Sequence, residues 1–168
     1  MYSYYIDTSV IIARYKPEDE LYEYSERFFK SNKANFYISP LTLVELYSIL
    51  SRIKNKIILP FQEEILLDTL ITFIVKDCKL RVISKTYSIE RLVVGYKIRL
   101  PVEYYLAMRF AEKLKLKTMD LLHILYTWLF KRNYHIDSFI TGDYDIINKA
   151  DKINELFGIK ILHPKHVN

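Results

Sequence analysis

Glycine is scarce in this sequence: Gly95, Gly142 and Gly158 are the only three in 168 residues. That excludes a glycine-rich phosphate loop of the dinucleotide or P-loop kind, which needs several glycines close together. A nucleotide cofactor held in that way is therefore not expected. The single cysteine, Cys78, excludes an internal disulfide and a cysteine-rich zinc site. No apolar run approaches the roughly 18 residues of a membrane span, so no membrane is expected. The N-terminus lacks a basic segment followed by an apolar one, so no signal peptide is read and a cytoplasmic protein is the expectation.

What is present is ordinary globular composition, 51% hydrophobic and 27% charged. The length fits one domain over residues 1–168, with enough chain to bury a core. Twenty-five Lys and Arg against 20 Asp and Glu leave a net charge of +5. That balance is compatible with a polyanionic partner such as RNA or DNA, and equally with solubility alone.

Strands alternate with helices along the chain. Strands are expected over residues 3–7, 35–39, 79–84, 137–141 and 159–162, the third near a sheet edge. Helices are expected from Thr8 to about Tyr15, from Pro17, over 40–52, 61–75 and 86–99, from Pro101, from Thr118, and over 143–157. Gly158 reads as the C-cap of the last helix. Such alternation implies a parallel sheet covered by helices on both faces. A reversal of strand order after the first strand would place the first and fourth strands side by side.

Four carboxylates stand out. Asp7 and Asp143 each follow a strand and precede a helix, and Asp120 falls in a first helical turn. Each is open to two readings, as a cap or dipole partner or as part of a site. Glu45 has no capping role, because it interrupts the apolar helix Leu41, Leu43, Val44, Leu46, Tyr47. A carboxylate there needs partners. Convergence of all four at one sheet edge would create repulsion that a cation relieves. An all-oxygen set suits Mg²⁺ or Mn²⁺.

These residues carry a resemblance. Asp7-Thr8-Ser9, Leu43-Val44-Glu45-Leu46, the run from Lys115 to His123 containing Asp120, and Thr141-Gly142-Asp143-Tyr144-Asp145 resemble the motifs of PIN domains. Within that family they resemble ribonuclease toxins of the VapC type, over essentially the whole chain. The resemblance implies an α/β fold, a three-layer α/β/α sandwich with a central parallel sheet of about five strands. It implies Mg²⁺- or Mn²⁺-dependent RNA cleavage giving a 5′-phosphate and a 3′-hydroxyl, frequently a homodimer, and an antitoxin partner. Asp7, Glu45, Asp120 and Asp143 take the family's acidic metal-site positions, with Asp145 as an auxiliary and Ser9 and Thr8 at the hydroxyl positions. Ile146 stands where the family usually has Phe.

Beyond the acidic set, RNA contacts are expected from Arg14, Lys16, Arg52, Lys54 and Lys56, with Tyr15 as a stacking platform. His123 is read as a packed core group that at most holds a carboxylate, and His163 and His166 as solvated. Two other readings stay open. One is an RNA-processing nuclease outside any toxin pair, and the other an idle scaffold that binds RNA or protein without cutting. A flap-type DNA nuclease is disfavoured by the short chain.

Overall fold

The computed structural model describes residues 1–31, 33–59 and 65–167. Five parallel strands form the central sheet: β1 (Ser3–Ile6), β2 (Asn35–Ile38), β3 (Leu80–Val82), β6 (Ser138–Ile140) and β7 (Lys160–Leu162), in the order β3-β2-β1-β6-β7. The reversal after β1 sets β1 beside β6, with Ile6 paired to Ile140 at their carboxyl ends. The first and fourth parallel strands are thus neighbours, and β3 is an edge.

Period-two alternation builds a core on each face. Tyr4, Ile6, Phe36, Ile38 and Ile140 pack with Val10 and Ile11 of α1 (Thr8–Ala13), Phe28 of α2 (Tyr22–Ser31), Leu46 of α3 (Pro40–Ile53) and Leu70 and Ile74 of α4 (Leu67–Asp77). Their neighbours Tyr5, Tyr37 and Phe139 point the other way. They meet Leu114 of α5 (Val102–Leu114), Ile124 and Leu125 of α6 (Thr118–Tyr134), Ile146 of α7 (Tyr144–Ile147) and Ile153 of α8 (Ala150–Phe157). The result is the expected three-layer α/β/α sandwich.

Four expectations change. The helix expected from Pro17 begins only at Tyr22, residues 17–21 forming turns. Residues 86–99 form no helix; they lie in an antiparallel hairpin of β4 (Ser88–Val93) and β5 (Tyr96–Pro101). The helical spacing of Ile89, Leu92 and Val93 competed with a period-two pattern, Ile89, Arg91, Val93 and then Tyr96, Ile98, Leu100, and the β-formers and Gly95 decided for the hairpin. The last helix is broken at Asn148 and Lys149 into α7 and α8. The helix expected over 61–75 runs as Leu67–Asp77, its residues 61–64 lying outside the described residues. Gly158 does close α8 at φ 64°, while Lys115 and His135 close α5 and α6 in the same left-handed region at φ 51° and 49°.

Candidate metal centre

Parallel strands deliver their carboxyl ends to one edge, and the acidic residues collect there. Asp7 follows β1 at the start of α1, but its side chain caps nothing. Its Oδ2 instead accepts from Ser9 Oγ at 2.8 Å and from Thr141 Oγ1, just past β6, at 2.6 Å. Thr141 Oγ1 in turn accepts the Asp143 backbone N–H at 2.9 Å. Asp143 does act as a cap, its Oδ1 accepting from Asp145 N at 2.7 Å.

Glu45 projects from α3 toward α1 and α6. Thr8 Oγ1 donates to Glu45 Oε2, and His123 Nε2 lies 2.7 Å from the same oxygen. His123 is buried, and its Nδ1 lies 3.2 Å from the Tyr5 hydroxyl, which donates to Ser39 Oγ at 2.6 Å. Burial alone would lower the imidazole pKa. The bond to Glu45 and the nearby Asp7 and Asp120 outweigh it and raise the pKa above the ordinary value. Burial would likewise raise Glu45, but His123 and Thr8 hold it below the usual carboxylate range. The two directions agree on an imidazolium–carboxylate pair.

Asp120, one turn before His123 on α6, is the stressed member. Its Oδ2 is buried without a hydrogen-bond partner among the described residues. Desolvation first, then the charges of Asp143 and Asp7, push its pKa up to about 6.

The hydroxyls and amides divide the carboxylates in a consistent way. The hydrogen bonds to Asp7 fall on Oδ2, those to Glu45 on Oε2, and that to Asp143 on Oδ1. Among the described residues one oxygen of each group takes no such bond, and Asp120 contributes its orphaned Oδ2. Oxygen donors held on one side and spare on the other suit a hard divalent cation. Asp7, Glu45 and His123 offer ligand atoms within 4.8 Å of one another. His123 is the weaker candidate ligand, because a ring nitrogen donating to Glu45 has no lone pair left for an ion.

The remaining expected residues are distributed more widely. Asp145 is exposed and ion-paired with Lys117 at 2.8 Å, which lowers its pKa. Arg14 pairs with Asp77 at 2.9 Å, and Tyr15 is buried with its hydroxyl on Asp77 at 2.7 Å, so this ring offers no exposed stacking face. Lys16 pairs with Asp19 at 3.3 Å. Arg52 lies in the last turn of α3, and Lys54 and Lys56 belong to the 3-10 turn after it; Arg52 and Lys56 are exposed, and none of the three makes an ion pair among the described residues. His163 is not solvated as expected. It is buried against the ring of Tyr24, because the Pro164–His166 turn that it caps packs against α2. Tyr5, Ser39, Thr141 and Thr42, whose Oγ1 lies 3.5 Å from the Tyr5 hydroxyl, carry no site assignment from the sequence. Only Thr141, two residues before Asp143 in a quoted motif, carried a signal.

The PIN domain family model matches residues 4–92, and the chain belongs to the PIN domain family. The fold is similar to a crystal structure of VapBC2 from Rickettsia felis bound to a DNA fragment from their promoter, at a TM-score of 0.54 and 12% identity, covering 96% of this chain and 98% of that one. No curated protein matches the sequence. Among the described residues no helix is long and apolar enough to cross a membrane.

Proposed function

We propose that this protein is a Mg²⁺- or Mn²⁺-dependent endoribonuclease, working in the cytoplasm as the toxin of a toxin–antitoxin pair. The observation that carries the reading is the orphaned, buried Asp120 Oδ2 under the charges of Asp143 and Asp7, the latter close to Glu45, with an oxygen of each of these three free, among the described residues, of the hydrogen bonds that orient it. A polypeptide left to itself has no reason to keep such repulsion. Asp7, Glu45, Asp120 and Asp143 would hold the ion, with Asp145, Ser9 and Thr8 in support. When bound, the ion supplies Lewis-acid stabilisation of the phosphodiester oxygens and acidifies water. Thr141 and Ser9 fix Asp7, and His123 and Thr8 fix Glu45, so both carboxylates keep one orientation. Asp120 Oδ2 is an acceptor able to orient the attacking water. The VapBC2 structure supports an antitoxin protein as partner, and the family resemblance a homodimer.

The test is calorimetric titration of Mn²⁺ into the wild type, Asp7→Asn and Asp120→Asn, followed by mapping of 5′-phosphate ends in total RNA incubated with protein and Mn²⁺. Binding lost in both variants, with new RNA ends dependent on the same residues, is the expected result. A folded wild type that binds no metal with or without RNA would leave the idle PIN scaffold. Cleavage of duplex or flapped DNA in preference to RNA would reassign the substrate.

A further inference from the structure

A groove of about 640 Å³ opens beside the carboxylate cluster, a size within the range of small-molecule sites. Gly142 and Tyr144 both line it, and in the chain they flank Asp143, so a group seated there is one residue from the proposed metal centre. The wall is closed by direct contact. A Cβ on Gly142 would run into the Leu21 side chain, so the segment before α2 sits directly against the loop between β6 and α7.

The aromatic wall is built from the inside out. Lys165 N donates to His163 Nδ1 at 3.1 Å, fixing the imidazole. The ring of Tyr24 meets it edge-on at 5.7 Å, and Tyr144 leans on it at 6.4 Å with 37° between planes. Tyr144 remains 61% exposed although its helix neighbour Ile146 is buried. It is a ring braced from behind with its other side in solvent. Glu18 and Glu20 also line the groove, exposed and without an ion pair among the described residues. Asp19 between them is already engaged by Lys16 and by the Leu21 N–H.

We propose that this groove is a nucleobase subsite, where Tyr144 stacks on one base of single-stranded RNA and the rim carboxylates favour bases bearing an exocyclic amino group. The inference rests on the ribonuclease reading and extends it to substrate choice. Every base offers a π-face to an aromatic ring. Carboxylates accept only from donors, which the amino groups of cytosine and adenine supply and the O4 edge of uracil does not. The same carboxylates repel phosphate, which leaves the strand's backbone on the Lys165 side.

The experiment measures fluorescence anisotropy of labelled C, A and U octaribonucleotides, using the Asp7→Asn protein to prevent cleavage. The C and A octamers are expected to bind at least about fivefold tighter than U. Adding Tyr144→Ala should weaken them by about fivefold or more, Tyr144→Phe should restore them, and the melting temperature should stay unchanged in both. Joint Glu18→Gln and Glu20→Gln substitution should narrow the gap between C and U. Unchanged affinity in Tyr144→Ala, equal binding of C and U, or no binding of any octamer overturns the subsite. Mn²⁺ binding and RNA cleavage by the wild type are read separately, so the subsite can fall while the ribonuclease reading stands.

Discussion

His123 Nε2 lies 2.7 Å from Glu45 Oε2, joining α6 to α3 across the carboxyl edge of the sheet. The contact explains how a carboxylate sits in an otherwise apolar helix. It also ties the position of one proposed metal ligand to a residue outside the proposed ligand set.

Truncating His123 to Ala leaves Glu45 partly buried without its cation, and breaking a buried pair costs on the order of 3–5 kcal/mol. The pH dependence has a definite sign. His123 is raised, so its contribution is full below about pH 6.5 and lost as pH rises through its folded value; Glu45 is lowered, so its part is full above about pH 4.3 and lost as pH falls through its folded value. Thermal melts of metal-free protein should therefore show the largest gap between wild type and His123→Ala within roughly pH 4.3–6.5.

Asp120 behaves in the opposite way. Its pKa is raised to about 6, so ionising it destabilises the metal-free fold increasingly as pH climbs from its unfolded value through the folded one. Asp120→Asn should melt higher than wild type at pH 7.5 by on the order of 1–2 kcal/mol, after discounting for partial exposure, and the gain should vanish near pH 3.5. Added Mn²⁺ should reverse the order by stabilising only the wild type.

Thr141→Val removes the hydroxyl that bonds Asp7 at 2.6 Å and receives the Asp143 N–H at 2.9 Å. Loss of such a supporting group typically costs 10- to 100-fold in metal affinity. Calorimetry should show a drop of about that size for Mn²⁺, with Thr141→Ser close to wild type.

Val94 occupies the β4–β5 turn at φ 50° and is 91% exposed, followed by Gly95 at φ 83°. Both central positions of this turn need positive φ, which a β-branched residue resists and Asn accepts. Val94→Asn should raise stability by about 0.5–1 kcal/mol in denaturant melts. A lower melting midpoint would show that the side chain makes a stabilising contact in solution.

The alternation of short apolar strands with helical stretches made the parallel sheet and its two helical layers legible, because strands buried on both faces read as continuous apolar runs; that β1 and β6 are neighbours followed only on the condition that strand order reverses after β1. The hairpin was not legible, since Ile89, Leu92 and Val93 satisfy a helical period over a window too short to exclude it. At the site, Asp7, Glu45, Asp120 and Asp143 were visible as carboxylates out of place. Ser9, Thr8 and His123 were legible as groups that hold them; Tyr5 and Thr141 were not, because a Tyr in a strand or a Thr after one is locally unremarkable.

The sequence by itself determined which chemistry was available: oxygen donors with one lone cysteine, no glycine-rich phosphate loop, and a Glu that an apolar helix could not tolerate alone. Tertiary structure decided which oxygen of each carboxylate is engaged and which is spare. It withdrew Arg14 and Tyr15 into an ion pair and a buried hydrogen bond, and it brought Tyr24, Tyr144 and His163 together beside Asp143. Residue type sets what a group can donate or accept, but only packing between distant segments sets which partner reaches it.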